Sequence, residues 1–131
     1  MSIMVITETA GSDADALALV TRARAAGQTL VWRVCDSVRA VTECVRSSRG
    51  EGAELVLLDM DVPEDGDAAG ASLTDALGEL PVPFIEIHDR DGEGSHPAMV
   101  TVVVPGDREA GVDMALSIAL RYLAGHERMA A

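Results

Sequence analysis

Short apolar runs rich in β-branched residues alternate along the chain with longer segments in which apolar residues recur every three or four positions. The short runs predict five buried β-strands, and the longer segments predict amphipathic helices. The strands are predicted at residues 3–6, 29–34, 55–58, 83–87 and 100–104. The helices are predicted from a cap at 11–13 to Gly27, from a cap at Asp36 or Ser37 through residue 45, over 71–80, and from about 108 to 124.

This strand–helix alternation predicts an α/β fold, namely a flavodoxin-like doubly wound sheet of five parallel strands. The length of 131 residues fits one domain without a linker or a repeat. One connection departs from the alternation, because residues 88–99 are too polar and glycine-rich to form a full helix. The fold class is therefore predicted with one helix missing between the last two strands.

Charge and composition exclude several functions. The net charge is −12, and all ten basic residues are Arg, since the sequence contains no Lys. Nucleic acids and anionic membrane surfaces would be repelled, and neither a Schiff-base Lys nor a P-loop Lys is available. No apolar run is long enough to span a membrane, and residues 1–6 do not resemble a signal peptide. We therefore expect a cytoplasmic protein that acts on a small molecule without a cofactor or a metal.

The two cysteines, Cys35 and Cys44, are nine positions apart and do not form a CxxC motif. This spacing predicts reduced thiols in or near the core rather than a disulfide. Cys35 ends the second predicted strand beside Asp36, whose carboxylate would disfavour the thiolate. A reactive Cys35 is therefore not expected.

Ligands of doubly wound folds bind beyond the carboxyl ends of the strands, so the candidate site residues are those that follow each strand. His88 directly follows the fourth strand and could carry a proton near neutral pH, although it could equally end the strand and bond to a loop. Arg108 opens the last helix, where it could bind an anion. The further candidates at strand ends are Glu8, Cys35, Asp36, Ser37, Asp59, Asp61, Asp89 and Arg90.

An acidic stretch over residues 59–67 follows the third strand. Its carboxylates lack the spacing of an EF-hand, so a solvated loop is expected rather than a cation site. Residues 55–66 also resemble the phosphoacceptor segment of response-regulator receiver domains, with Asp59 as the acceptor. A receiver domain, however, requires a Lys after its fifth strand and a pair of acids after its first, and this sequence has no Lys and only Glu8.

A second resemblance extends along the whole chain. Residues 32–37 (WRVCDS), 71–77 (ASLTDAL) and 83–88 (PFIEIH) are similar to segments of the type II dehydroquinases (3-dehydroquinate dehydratases). The resemblance implies a dehydratase fold without the fourth crossover helix, and it places His88 on the catalytic His of that family. It also places Asp75 on an Asp that reaches the site across a subunit boundary. A trimer-based homo-oligomer, possibly a dodecamer, is implied as well.

The sequence departs from that family at the site. The long lid after the first strand, with its catalytic Tyr and Arg, is absent, and the family's carboxylate-binding Ser-Asn is replaced by Asp89, Arg90 and Asp91. We therefore expect a divergent lyase, a dehydratase or an acid–base cyclase, that acts on an uncharged small molecule. In this hypothesis His88 is catalytic with Asp59 or Asp61 as its partner. A non-catalytic assembly or binding protein is the alternative, and a receiver-like phosphoacceptor domain is a second one.

Overall fold

The computed structural model describes residues 2–8, 13–59, 68–88 and 98–130. Its elements follow the predicted order of strands and helices. They are β1 (Ser2–Thr7), α1 (Asp13–Ala25), β2 (Thr29–Val34), α2 (Val38–Ser47), β3 (Ala53–Asp59), α3 (Ala68–Glu79), β4 (Phe84–His88), β5 (Val100–Val103) and α4 (Arg108–Ala130).

The five strands form one parallel sheet in the order β2-β1-β3-β4-β5. The chain therefore moves outward in one direction from β1 to β2 and in the other from β3 to β5, and the order reverses between β1 and β3. This is the flavodoxin-like doubly wound topology, so the predicted fold class is confirmed. In such a sheet the reversal opens a crevice at the carboxyl ends of the strands, which is where ligands bind.

Strand alternation divides the core into two layers. Ile3, Leu57 and Ile87 lie on the face covered by α1 and α4, where they pack with Leu116. Their neighbours along the strands lie on the opposite face, where α2 and α3 cover the sheet; this second layer includes Met4, Ile6, Val41, Leu58, Leu73 and Phe84. Both faces of the central strands are buried, which explains why these strands read as continuous apolar runs.

β1, β3 and β4 extend beyond their predicted carboxyl ends, and the extensions of β3 and β4 involve candidate site residues. β3 continues to Asp59, which aligns with Thr7 of β1 and Ile87 of β4. β4 continues to His88, which aligns with Val103 of β5. His88 is therefore the last residue of a strand and is only 4% exposed, not a residue in the following loop. Backbone pairing, with two neighbouring strands for Asp59 and with β5 for His88, continues each strand even where the side chain is polar.

The helices begin and end within a few residues of their predicted positions, except that α4 continues to Ala130 instead of ending near 124. Within the described ranges, no helix has both the length and the apolarity that crossing a bilayer requires. Residues 60–67 of the predicted acidic loop and residues 89–97 of the predicted glycine-rich connection lie outside the described residues.

Candidate functional site

Asp59 is the centre of a buried polar cluster at the carboxyl edge of the sheet. Its Oδ2 atom accepts a hydrogen bond from Thr7 Oγ1 at 3.1 Å, and its Oδ1 atom accepts one from Arg108 Nη1 at 3.1 Å. Asp59 is 7% exposed, so the guanidinium compensates a carboxylate that has largely lost its hydration. The cluster therefore joins the ends of β1 and β3 to the first residue of α4.

Glu86 and His88 form a second buried polar pair, on β4. The two residues are separated by one position, so both side chains project from the same face of the strand. His88 Nε2 lies 3.4 Å from Glu86 Oε2, and the two residues are 4% and 1% exposed. A buried carboxylate beside an imidazole fixes the orientation of the ring and balances the charge of its protonated form, as a proton-transferring His requires.

The two polar pairs lie on opposite faces of the sheet. Asp59 aligns with Ile87, whereas Glu86 aligns with Leu58. Asp59 therefore projects toward α1 and α4 with Ile87, while Glu86 and His88 project toward α2 and α3 with Leu58. Among the described residues, the carboxylate beside the imidazole is that of Glu86, and the expected pairing of His88 with Asp59 is corrected on this point. The other expected partner, Asp61, lies outside the described residues.

Glu86 was not among the candidates drawn from the sequence. Because it precedes the end of β4, a search limited to the residues that follow each strand passes over it. The signal in the sequence was a single carboxylate inside an apolar strand, two positions before a His. A buried acid of this kind requires a polar partner, and period-two alternation identifies His88 as that partner.

The residues that follow β2 mainly stabilise the beginning of α2. Ser37 has an extended backbone, with φ −151° and ψ 159°, and its side chain accepts a hydrogen bond from Ala40 N at 3.1 Å. Ser37 is therefore the N-cap, one of the two caps that the sequence allowed. Asp36 is exposed beside it.

Cys35 is buried, and its Sγ atom lies 3.2 Å from Sγ of the half-buried Cys44, with both cysteines free. Burial, together with this contact, raises the pKa of the Cys35 thiol to about 12. From the sequence, we expected the carboxylate of Asp36 to disfavour the thiolate. Asp36 does raise the pKa of Cys35, but by less than burial and Cys44 do.

The other candidates are dispersed. Glu8 is exposed directly after β1, and Asp75 is exposed on α3. Arg108 keeps 26% of its side chain exposed while it binds Asp59, so its predicted role in anion binding stays a prediction. Asp61, Asp89 and Arg90 lie outside the described residues. Among the described residues, no group of three or more acidic, Cys or His side chains is arranged to hold a metal ion.

Comparison with known proteins gives a clear result for the fold. No sequence model of a protein family matches the chain, and no curated protein does. A 3-dehydroquinate dehydratase-like protein from Bifidobacterium longum covers 93% of this chain and 97% of its own, with 16% identity and a TM-score of 0.66. The type II dehydroquinase from Propionibacterium acnes has 20% identity and a TM-score of 0.66 over 92% of this chain and 98% of its own.

The type II dehydroquinase from Butyrivibrio crossotus DSM 2876 has a TM-score of 0.71 and 14% identity over 92% of this chain and 97% of its own. The chain has the type II dehydroquinase fold. The resemblance stated from residues 32–37, 71–77 and 83–88 is thus confirmed as a similarity of fold. Sequence identities of 14% to 20% are evidence for a shared fold but not for a shared activity, because one fold supports many different sites.

Proposed function

We propose that this protein is a divergent lyase on the dehydroquinase fold, which eliminates water from, or cyclises, an uncharged small molecule by acid–base chemistry. The observation that carries this proposal is the buried pair of Glu86 and His88 at the carboxyl end of β4. A fully buried carboxylate is costly unless it has a partner, and an imidazole is a partner that can both accept and donate a proton.

The proposed elimination divides the work between an acid and a base. A base removes the proton from the carbon next to a carbonyl group, the carbon–oxygen bond to the β-hydroxyl breaks, and His88 protonates the departing oxygen to give water. Glu86 orients the imidazole and balances the charge that the ring carries before it donates its proton. Asp61, two positions after β3 in the sequence, is the proposed base.

Asp59 has a different role in this proposal. Both of its carboxylate oxygens already accept hydrogen bonds, one from Thr7 and one from Arg108. Such a carboxylate is held in place by its two donors. We therefore assign Asp59 as a positioning residue, which fixes the beginning of α4 against the ends of β1 and β3.

The charge of the protein favours an uncharged substrate. The chain carries 22 acidic residues against 10 Arg, and exposed Glu8 and Asp36 follow two adjacent strands at the carboxyl edge. A carboxylate-bearing substrate such as 3-dehydroquinate would approach this negative edge against its field. An uncharged β-hydroxy ketone would not meet that barrier.

The test is a dehydration assay with a panel of uncharged β-hydroxy ketones and with 3-dehydroquinate as the charged comparator. Loss of water gives a conjugated ketone, so the reaction is followed by its ultraviolet absorbance. For any panel compound that the wild-type protein dehydrates, we expect His88→Ala to lower kcat by about 10²- to 10⁴-fold, the usual contribution of one acid–base group. Glu86→Gln should cause a smaller loss and change the pH profile of kcat.

Glu43→Gln, at an exposed position on α2, is the matched control and should match the wild type. Wild-type turnover by a folded His88→Ala variant would refute the role of His88. Turnover of 3-dehydroquinate at about 1 per second or faster would place the protein within the usual range of enzymes and would refute the preference for uncharged substrates.

A non-catalytic assembly protein is the second candidate, and the edge of the sheet favours it. Met99, just before β5, and Val103, its last residue, are 38% and 36% exposed, and β5 forms one edge of the described sheet. A partner subunit that covered this edge would bury them. Failure of every panel compound to raise the melting temperature, together with a defined oligomer, would support this candidate over the lyase.

The receiver-like alternative fits the site less well. A phosphoacceptor Asp needs an open carboxylate, whereas Asp59 is 7% exposed and bound on both oxygens. Incubation with acetyl phosphate should therefore leave the mass of the protein unchanged. An added phosphoryl group that disappears in Asp59→Asn would revive that alternative.

A further inference from the structure

The pair of thiols at the end of β2 lies apart from the polar residues used above. Cys35 is the first residue after β2, and Cys44 lies in the second half of α2. Ser37 caps α2 between the two cysteines, so the position of the helix relative to the strand end is fixed by hydrogen bonds at its first turn. This geometry brings the two Sγ atoms to 3.2 Å from one another.

We propose that Cys35 and Cys44 form a redox-active thiol pair, which closes to an intramolecular disulfide under peroxide and reopens under a dithiol reductant. A disulfide bond is about 2.05 Å long, so the sulfur atoms must close from 3.2 Å to about 2.05 Å, a shift of about 1.2 Å. Rotation of two side chains can cover a movement of this size. The product would link the end of β2 covalently to the body of α2.

The two cysteines differ in exposure, and this difference sets the order of the reaction. Cys44 is half-buried and Cys35 is 3% exposed, so the oxidant reaches Cys44 first. The Cys44 thiolate attacks one peroxide oxygen, the O–O bond breaks, and the departing hydroxide takes up the thiol proton to give water and Cys44 sulfenic acid. Burial holds the pKa of Cys35 near 12, so Cys35 remains a protonated thiol until this step has occurred.

In the second step the Cys35 sulfur attacks the Cys44 sulfur, the S–O bond breaks, and the hydroxide leaves with the Cys35 proton as water. Two thiols and one hydrogen peroxide thus give one disulfide and two waters, with two electrons passing from sulfur to the peroxide. The sulfur atoms already lie in contact, so this step is intramolecular and should outpace capture by a second protein molecule.

The pair is also connected to the Asp59 cluster through the backbone. Cys35 N donates a hydrogen bond to Thr7 O at 2.8 Å, and Thr7 Oγ1 donates to Asp59. A movement of Cys35 on oxidation would therefore act on the residue that holds Asp59. The thiol pair is a modification site at the edge where the strand-end residues gather.

The test is peptide mapping of the full chain after one equivalent of hydrogen peroxide. Trypsin cleaves after Arg33, Arg39 and Arg46, so the two cysteines fall in separate peptides, 34–39 and 40–46. We expect these two peptides to be joined, the two titratable thiols to fall to none, and dithiothreitol to restore both. The oxidised protein should also unfold at a higher urea concentration than the reduced protein, because the crosslink restricts the unfolded chain.

Cys44→Ser and Cys35→Ala are the matched controls, the second chosen because it leaves no buried hydroxyl. Neither variant should show the joined peptides or the shift in urea midpoint. Joined peptides found only in a covalent dimer would overturn the proposal. Oxidation of Cys44 to the sulfinic acid with Cys35 still titratable would overturn it as well.

Discussion

Replacing Asp59 with Asn tests whether the ends of β1, β3 and α4 are held together by one carboxylate. Asn has the same shape, and its amide nitrogen can face the Thr7 hydroxyl, which accepts as well as donates, while its Oδ1 atom still accepts from Arg108. What the substitution removes is the negative charge that faces the guanidinium. A hydrogen bond to a charged group contributes about 1.5–3 kcal/mol. Since Arg108 is 26% exposed and solvent screens part of its charge, we expect the free energy of unfolding to fall by about 2 kcal/mol.

The exposed pair of Arg39 and Glu43 on α2 provides the control. Its atoms are 3.9 Å apart, and the side chains are 89% and 73% exposed, so hydration and salt remove most of their attraction. Glu43→Gln should therefore change the free energy of unfolding by less than about 0.5 kcal/mol. Replacing the carboxylate of Asp59 should therefore lower the free energy of unfolding much more than replacing that of Glu43.

Urea unfolding followed by circular dichroism measures both variants, with the slope of the transition as the check that the unfolded state is unchanged. A double-mutant cycle with Arg108→Gln should give a coupling energy of about 1–2 kcal/mol with Asp59, against about 0.5 kcal/mol or less for Arg39 with Glu43. An Asp59→Asn variant as stable as Glu43→Gln would refute the argument, and would return Asp59 to the list of carboxylates available for chemistry.

Two further predictions concern Cys35 and the assembly. The pKa of Cys35 is raised from 9.0 to about 12 in the folded protein, so the contribution of this thiol to stability is complete below about pH 9 and is lost as the pH rises toward 12. Urea unfolding at a series of alkaline pH values measures this loss of stability. The loss should be smaller in Cys35→Ala. Light scattering should give the mass of a trimer-based oligomer at micromolar concentration, and a monomer mass would contradict the resemblance-based expectation.

The sequence was sufficient for the fold because the central strands are buried on both faces. Residues 55–58 read as a strand because every side chain from Leu55 to Leu58 enters one of the two core layers. The ends of strands were harder to predict, since Asp59 and His88 are polar and a hydrophobic pattern ends before them. Backbone pairing to neighbouring strands extends each element by one residue, and that pairing depends on strand order.

The site was only partly predictable for the same reason. His88 was found because it ends an apolar run. The sequence did not identify its partner Glu86, and it did not show on which face of the sheet Asp59 lies. Which carboxylate lies beside His88 is decided by the register of Asp59 with Ile87. Similarly, a nine-residue spacing does not reveal that Cys35 and Cys44 are in contact, since the distance depends on the turn before α2.

The positions of the polar residues on the sheet restrict how oxidation of the thiol pair could affect His88. Cys35 packs in the same core layer as Leu58 and Phe84, so the thiol pair lies on the face that also holds Glu86 and His88. In the order β2-β1-β3-β4, however, three strand spacings of about 4.8 Å separate β2 from β4.

At a separation of about 14 Å the thiols do not touch the imidazole, so an effect of oxidation on His88 has to pass through the elements between them. These are α2, which packs against α3, and the strands β1 and β3. Cys44→Ser should therefore leave the chemistry of His88 intact in the reduced protein and remove only its response to peroxide. Equal loss of activity in reduced Cys44→Ser and in His88→Ala would show instead that the two groups belong to one site.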